Sequence, residues 1–370
     1  MLRYKSYIAL LAVAAMMASC SQDVIEDSVS HGDEIYATLP ELEDGNVMTR
    51  SSLVYYIDDK GNGKMRFTWD SADKIGVFAV NADESKRQQV PFNLTEGAGS
   101  ISAFFVSADP GVGLIEKGKQ YIGFRPCSKE DDYSKLDVKY SGQTAKAFPK
   151  MKYFPFEGNA SADSAKYYAS DSVASAHLSA ADYMASKPTT AKENGHCAFE
   201  FKRIGAVVRF YLKCPMNVVY EGIQLVAKGK QFVLTGVLDA EKKTIEPLTT
   251  SSAMDLRFSP TLDMTDTSSE YYYKGTGYIV SYMMIAPIDL SDADDISIYL
   301  KGHDGNNNTV YYKSTGDLEK PNLTANMFYQ WTSKDNSGDP AIVFDHITAQ
   351  DWERDVIYSN GEEGTGTGNW

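Results

Sequence analysis

The chain has 370 residues, a formal net charge of −14 at neutral pH and 12% aromatic residues, with tyrosine the most frequent of them. So acidic a chain is poorly suited to the phosphate backbone, which excludes nucleic acid as an expected partner. The length exceeds what one hydrophobic core usually serves, so it predicts two domains.

The N-terminal segment has the pattern of a lipoprotein signal. Arg3 and Lys5 precede a run of apolar residues that ends in Met17-Ala18-Ser19-Cys20. The run is shorter than the roughly 20 apolar residues that a membrane-spanning helix needs, and small residues stand before a cysteine where an ordinary signal has its cleavage site. The tetrapeptide resembles the bacterial lipobox. This resemblance implies that residues 1–19 are removed and that Cys20 carries acyl chains that anchor the protein on a membrane without spanning it.

Three cysteines follow Cys20, namely Cys127, Cys197 and Cys214. Their odd number and the lack of a C-x-x-C motif indicate neither a disulfide framework nor a zinc site. Cys197 and Cys214 each alternate with apolar residues, so we expect both to face a core as free thiols. A bridge between Cys197 and Cys214 is the alternative.

Apolar and polar residues alternate from about residue 52 onward, which predicts β-strands. In Lys64–Asp70, for example, Met65, Phe67 and Trp69 fall on one face. The predicted strands are, in chain order, Ser52–Ile57, Lys64–Asp70, Lys74–Val80, Ile101–Val106, Gln120–Phe124, Ile204–Lys213, Tyr220–Ala227, Phe232–Leu238, Tyr278–Ala286, Asp295–Lys301, Thr309–Lys313, Met327–Thr332 and Ala341–Ile347. Many short strands between turn signals predict an all-β protein built of β-sandwiches.

Polar stretches interrupt this pattern and suggest where domains end. Ser161–Ser179 is rich in alanine and serine and is interpreted as a surface insertion with partial helix, and Lys187–Gly195 is a polar stretch with proline and glycine that we interpret as a domain boundary. The glycine-rich C-terminal end is predicted to be flexible. The predicted organisation is a signal segment at 1–19, an N-terminal sandwich with its tether at 20–195, a C-terminal sandwich at 196–358 and a tail at 359–370.

Motifs of catalytic and metal centres are missing from the sequence. It contains no G-x-S-x-G, no H-E-x-x-H and no P-loop, and its five histidines lie far apart. Asp58–Gly63 and Asp304–Asn308 are turn-forming clusters without the glycine and glutamate positions of a calcium loop. We therefore predict a protein that is not an enzyme, with no cofactor and no metal ligands.

Groups of adjacent tyrosines are a second functional signal. Tyr55-Tyr56, Tyr271–Tyr273 and Tyr311-Tyr312 each place at least one ring on an outward face if they lie in strands. Exposed rings can stack on sugars or on partner proteins. Tyrosine is also an ordinary outward residue of strands, which is the alternative interpretation.

Four segments of the chain resemble a known family. They are TRSSL from Thr49, FTWDSADKIGVF from Phe67, ADYMA from Ala181 and AFEFKRIGAVVRF from Ala198. These segments are similar to motifs of the fimbrillin-like lipoproteins of Bacteroidetes, the subunits of type V pili. The resemblance covers about residues 35–355. It implies two tandem transthyretin-like β-sandwiches after a lipoprotein signal peptide, in a structural subunit of a cell-surface fimbria that supports adhesion.

The same resemblance implies an assembly mechanism and a location. A protease would cut between Arg50 and Ser51 and remove a strand near Glu34–Leu39, and a neighbouring subunit would fill the groove by donor-strand exchange. The donor would be Ala341–Ile347 with an extension to Val356. Other fimbrial subunits and, through Cys20, the outer membrane are the implied partners, with a host or bacterial surface receptor left open. A stalk, tip or anchor role stays open, and a surface glycan-binding lipoprotein is the alternative function.

Overall fold

Strands are the main secondary structure of the protein, whose computed structural model describes residues 34–39, 52–57, 63–81, 89–108, 115–146, 148–150, 174–192, 195–266, 272–273, 276–331 and 342–348. The predicted all-β class is confirmed, and each predicted strand is present. The strands are β1 (Glu34–Thr38), β2 (Ser52–Ile57), β3 (Gly63–Thr68), β4 (Lys74–Ala79), β5 (Val90–Glu96), β6 (Ser102–Ser107), β7 (Gln120–Arg125), β8 (Leu136–Lys139), β9 (Gln143–Ala145), β10 (Phe148–Lys150), β11 (Met184–Ser186), β12 (Thr189–Thr190), β13 (Cys197–Arg203), β14 (Ala206–Pro215), β15 (Val218–Lys228), β16 (Phe232–Asp239), β17 (Thr244–Ser251), β18 (Ala253–Asp263), β19 (Tyr272–Tyr273), β20 (Thr276–Ile285), β21 (Ile288–Asp289), β22 (Asp295–Asp304), β23 (Thr309–Ser314), β24 (Asn322–Leu323), β25 (Phe328–Trp331) and β26 (Ile342–Ile347).

A 3₁₀ helix at Ala176–Ala180 is the one helix with both its bounds inside the described ranges. It overlaps the end of the predicted Ser161–Ser179 insertion, most of which lies outside the described residues. No helix in these ranges is both long and apolar enough to cross a bilayer. Contacts divide the chain into Met1–Gly32 and Asp33–Trp370, and every described residue belongs to the second unit.

The first sheet has eight strands in the order β11-β13-β1-β6-β5-β4-β7-β12. Because β11 also pairs with β7, the sheet closes on itself. Its inward side chains form a core that includes Ile75, Phe92 and Phe105, all fully buried. The alternation of buried and exposed residues in β13 follows the period of two that the sequence predicts.

The second sheet has eleven strands, nine of them in the order β10-β20-β14-β26-β23-β22-β15-β18-β9. The other two, β19 and β25, pair with β20 and β14. A three-stranded sheet, β17-β16-β8, and the pairs β2-β3 and β21-β24 complete the described strands. The long strands β14 and β20 run antiparallel over ten residue pairs and carry much of the larger core.

Each of the two large sheets contains strands from both sides of the predicted domain boundary. β9 and β10 precede Lys187–Gly195 in the chain but lie in the second sheet, whereas β13 follows this stretch but lies in the first. β12 lies within the stretch itself. The domain limits therefore stay a prediction, while the sheets themselves draw on both halves of the chain.

The cysteines after Cys20 have free thiols. Cys197 and Cys214 are buried, as the alternation predicts, and Cys127 is half-buried. Burial raises the pKa of Cys197 to about 12 and the pKa of Cys214 well above its usual value. Both thiols are therefore protonated and inaccessible in the folded chain at neutral pH.

Four charged side chains form a buried network where strands of the first sheet begin or end. Arg125, the last residue of β7, donates from Nε and Nη2 to Asp73 Oδ1 at 3.0 and 2.7 Å. Its Nη1 donates to the backbone oxygen of Asp182 at 3.1 Å. Arg203, the last residue of β13, donates from Nε and Nη2 to the Asp182 carboxylate. None of the four residues is more than 8% exposed. Each buried charge thus has a hydrogen-bonded partner of opposite sign.

Arg203 also connects this network to the second sheet. Its guanidinium lies over the ring of Phe67, 4.5 Å from the centroid. Its backbone nitrogen donates to Asn326 Oδ1 at 3.2 Å, just ahead of β25, which pairs with β14. Only residues 204 and 205 separate β13 from β14. The network therefore lies where the chain passes from the first sheet to the second.

We expect Asp182→Ala to destabilise the protein by about 3–5 kcal/mol, because it leaves the Arg203 guanidinium buried without its carboxylate. Urea unfolding followed by circular dichroism measures the change. Lys135→Ala is the matched control, since Lys135 is 74% exposed in its ion pair with Asp132 and should change the free energy of unfolding by less than about 1 kcal/mol. Similar effects of the two variants would show that the buried network does not stabilise the fold.

Candidate functional site

The first strand, β1, lies inside the first sheet rather than at an edge. It runs antiparallel to β6, from Glu34 opposite Val106 to Thr38 opposite Ser102. On its other side it runs parallel to β13, from Ile35 opposite Cys197 to Thr38 opposite Glu200. We call the space that β1 fills between β6 and β13 the β1 slot.

The inward side chains of β1 pack on an aromatic floor. Ile35 and Ala37 are fully buried, and Leu39, which follows the strand, is 5% exposed. They belong to the same core as a set of ring contacts. Trp69 lies edge-on to Phe105 at 5.1 Å and to Phe201 at 5.8 Å, and Phe199 lies edge-on to Phe201 at 6.1 Å. Burying each aliphatic side chain the size of isoleucine or leucine on such a floor stabilises the fold by about 1.5–3 kcal/mol.

Glycine at position 123 lets this floor lie close to β7. A Cβ atom built there would stand 2.8 Å from ring atoms of both Phe199 and Phe201. Its backbone nitrogen donates to Ser186 Oγ at 2.8 Å. The close approach of β7 to the two rings keeps the base of the slot tightly packed.

Hydrogen bonds and side-chain contacts fasten β1 at its end and along its outer face. The Leu39 nitrogen donates to the Ile101 oxygen at 2.9 Å, and Thr38 Oγ1 donates to the Phe199 oxygen at 3.4 Å. On the outer face, the rings of Tyr36 and Phe104 lie 5.2 Å apart. If β1 were absent, β6 and β13 would each lose a row of backbone partners above an apolar floor, which is the arrangement that attracts another strand.

The last described strand, β26, occupies the same kind of position in the second sheet. It runs parallel to β14 on one side, with Ile342 opposite Leu212. It runs antiparallel to β23 on the other, from Phe344 opposite Ser314 to Ile347 opposite Tyr311. β13 and β14, the parallel neighbours of β1 and β26, are consecutive in the chain.

Side chains alternate along β26 as they do along β1. Ile342 is fully buried and Phe344 is 6% exposed, whereas Val343 between them is 37% exposed. The His346 ring stands edge-on to Tyr312 at 5.5 Å. β26 therefore presents an apolar residue at every second position of its first three residues, the requirement for a strand that lies over a core.

β26 is held by fewer partners than β1. Its parallel ladder with β14 covers only Leu212 and Lys213, because β25 pairs with Val207–Phe210 of the same strand. Its antiparallel ladder with β23 covers four residue pairs, whereas β1 has five with β6 and four with β13. Leaving its sheet would therefore cost β26 fewer backbone pairs than it would cost β1.

Some of the predicted site residues lie within the described part of the chain and others lie outside it. Cys20, Arg50, Ser51 and residues 349–356 of the donor extension lie outside the described residues. Strands lie at Glu34–Thr38 and Ile342–Ile347, within the two segments that the family resemblance implies. Residues that border the slot, such as Phe199, were not predicted to do so, because alternation in β13 marks it as a strand but carries no information on its partner.

The described tyrosines are largely buried, and the described residues offer no metal site. Tyr312 is 7% exposed and Tyr311 is half-buried, while the side chains of Tyr55-Tyr56 and Tyr271–Tyr273 lie outside what the structure describes. Among the described residues, no cluster of histidine, cysteine, aspartate and glutamate could hold a metal ion.

Solved structures similar to this chain come from species of Bacteroides and Porphyromonas. A candidate cell adhesion protein of Bacteroides ovatus is 12% identical, covers 87% of this chain and 97% of its own, and has a TM-score of 0.39. A fimbrial protein of Bacteroides vulgatus is 10% identical, with coverages of 74% and 91% and a TM-score of 0.32. The tip fimbrial protein Mfa3 of Porphyromonas gingivalis is 10% identical, with coverages of 85% and 99% and a TM-score of 0.28.

A comparison with curated proteins gives no match. The family model described as fimbrillin-like matches residues 49–352, well over half of the chain. This range includes the segments at Thr49, Phe67, Ala181 and Ala198 that suggested the resemblance. The chain therefore belongs to the fimbrillin-like family of fimbrial and adhesion proteins, which are structural proteins and not enzymes.

Proposed function

We propose that this protein is a fimbrial subunit that assembles by strand exchange, with the β1 slot as acceptor and β26 as donor. The observation that carries the proposal is that β1 and β26 each lie between one parallel and one antiparallel neighbour. A strand that leaves one of these positions can meet the same pattern of backbone hydrogen bonds in the other.

Proteolysis supplies the step that empties the slot. Arg50 follows β1 in the chain, so a cut between Arg50 and Ser51 leaves only noncovalent contacts to hold Glu34–Thr38 in the sheet. The preceding residues Glu41–Val47 are acidic and rich in polar side chains, a composition that a protease can reach. Loss of the strand exposes the aromatic floor, and a β26 segment from a neighbour covers it again.

The cell surface is the proposed location, with Cys20 as the lipid attachment site. Arg3 and Lys5 before the apolar run and the tetrapeptide ending in Cys20 support a precursor that travels as an outer-membrane lipoprotein. Acylation and the cut at Arg50 fit together, because cleavage releases the chain from the anchor when it is ready to polymerise. A subunit that keeps its anchor would instead stay at the base of the fibre.

We expect Cys20→Ala to abolish lipid attachment, because the thiol is the acceptor. Metabolic labelling with palmitate and detergent phase partition of the cell extract measure it. Cys127→Ala is the control and should label as the unaltered protein does. Normal labelling of the Cys20→Ala protein would contradict the lipoprotein proposal.

Cys197 provides an internal reporter of the β1 slot. Its partner in the parallel ladder is Ile35, and it is 1% exposed. We expect limited trypsin cleavage after Arg50, followed by release of β1, to raise its maleimide reactivity at pH 8 by up to roughly a thousandfold, as the pKa falls from about 12 toward 9.0. Mass spectrometry of labelled peptides at low protein concentration measures the change.

Two controls separate slot opening from unfolding. Cys214, fully buried beside the position of β26 in the second sheet, should stay unreactive, and Arg50→Gln should keep Cys197 silent under the same digestion. If Cys197 stays protected after β1 has left, or if Cys214 reacts in parallel, β1 does not fill a slot that opens independently of the rest of the fold.

A peptide with the sequence of residues 341–356 should restore protection of Cys197 in the cleaved protein. A Val343→Asp peptide should act similarly, because Val343 faces outward, whereas Phe344→Asp should bind at least about tenfold more weakly, since it removes an inward apolar side chain. The concentration of peptide that halves the labelling rate is the measurement. Equal potency of the two substituted peptides would rule out insertion of β26 in the proposed orientation.

A further inference from the structure

Three lysines from separate parts of the chain lie close together at one side of the first sheet. Lys202 belongs to β13, Lys187 follows β11, and Lys243 lies in the turn between β16 and β17. We call these three residues the lysine cluster. The chain as a whole carries a formal charge of −14, so a group of cations is an exception on its surface.

Strand pairing places Lys187 and Lys202 on the same face. In the antiparallel pair of β11 and β13, Ala185 lies opposite Lys202. Lys187 comes two residues after Ala185, and Pro188 favours an extended backbone for the residue before it. Lys187 is therefore the diagonal neighbour of Lys202, at roughly 7–8 Å, a separation over which long side chains interact. Both side chains are exposed.

The turn between β16 and β17 adds Lys243 to this pair. The Lys243 nitrogen donates to the Asp239 oxygen at 2.7 Å, and the φ of Lys243 is 57°, a value uncommon for a residue other than glycine. The Lys243 side chain is half-buried. Burial lowers its pKa, and the charges of Lys202 and Lys187 lower it further. The three ammonium groups are therefore close enough to repel one another.

None of the three ammonium groups makes an ion pair or a hydrogen bond with another described residue. Asp239, the acidic residue beside Lys243 in the turn, accepts from Lys242 Nζ at 2.6 Å and from two backbone nitrogens of the same turn. Its carboxylate therefore serves Lys242. Glu200, two residues before Lys202 on β13, is exposed and makes no ion pair with the cluster. An anion that binds to the cluster relieves the repulsion among its charges.

The charges in and around the cluster define the kind of anion that fits. Lysine binds phosphate oxygens as a compact point charge. An extended polyanion is disfavoured, because the negative charge of the rest of the chain repels it. A carboxylate or a sulfate ester brings a single negative charge, whereas a phosphomonoester carries about 1.5 to 2 at neutral pH and offers three acceptor oxygens.

We propose that the lysine cluster binds a phosphomonoester group, with one ammonium group donating to each of its three oxygens. A soluble sugar phosphate and the headgroup of a phosphomonoester lipid present this same group. The cluster contains no residue of β1 or β26, so the site is available in a single subunit and in a fibre. Binding is a property of these three side chains and does not rest on the proposed assembly mechanism.

Saturation-transfer NMR of the purified full chain at low ionic strength tests the proposal. The probes are glucose 6-phosphate, glucose 6-sulfate and glucose. We expect glucose 6-phosphate to bind with a Kd of about 1 mM, glucose 6-sulfate to bind at least about fivefold more weakly, and glucose to give no signal. Salt near 0.15 M should weaken the binding, because it screens exposed charges. Absence of glucose 6-phosphate binding at about 10 mM, or equal affinity for the sulfate ester, would overturn the proposal.

Vesicles distinguish the two sources of the group. Phosphatidylcholine vesicles that contain phosphatidic acid, which is a phosphomonoester lipid, are added to the protein with bound glucose 6-phosphate. They displace the sugar phosphate if the cluster reaches a lipid headgroup, and they leave it bound if the source is soluble. Vesicles of phosphatidylcholine alone are the control for any attachment through the N-terminal segment.

Substitutions locate the binding at the cluster. Lys187→Gln, Lys202→Gln and Lys243→Gln should each weaken glucose 6-phosphate binding by about fivefold or more, as loss of a charged hydrogen-bond donor does. Lys119→Gln is the matched control, since it removes the same charge from an exposed lysine just before β7, and should leave the affinity unchanged. Lys187 and Lys202 are exposed, so these two variants test the site even if Lys243→Gln disturbs its turn. Unchanged affinity in both, or an equal loss in Lys119→Gln, would refute the proposal.

Discussion

The constraint on which the first sheet depends is that the space between β6 and β13 must be occupied by a strand. Backbone N–H and C=O groups in the interior of a sheet need partners, and here they stand over a floor of Trp69, Phe105 and Phe199. A strand that meets these needs can come from the same chain or from another one, since the slot accepts an extended backbone with an apolar residue at every second position. The slot therefore places few requirements on the sequence of the strand that fills it and strict requirements on the geometry of that strand.

The buried network of Asp73, Arg125, Asp182 and Arg203 complements this generality. It joins the ends of β7 and β13 to the turns before β4 and β11, at the point where the chain enters the second sheet. Side chains that need a particular partner at a particular angle specify a single arrangement more strongly than apolar packing does. One wall of the slot, β13, is thus fixed at its end by directional bonds, whatever strand lies beside it.

The sequence predicts individual strands better than it predicts their partners. Alternation identifies β3, β14 and β22 because each has a clear inward face, and it could have identified β18, in which Met254, Leu256 and Phe258 alternate. Strands as short as β9 and β12 carry no periodic signal, since they are ordered by the neighbours they pair with. The β1 slot combines segments that lie far apart in the chain, and only the family resemblance pointed to β1.

The parallel pairing of β1 with β13 also has a consequence for the order in which the chain folds. Residue 35 emerges during synthesis and export long before residue 197, its neighbour in the sheet. β9 and β10 likewise wait for β18 and β20. Contacts of such long range form late and slowly, so neither large sheet can close until most of the chain has crossed the membrane. A chain whose early strands lack their sheet partners for this long is suited to secretion in an extended state.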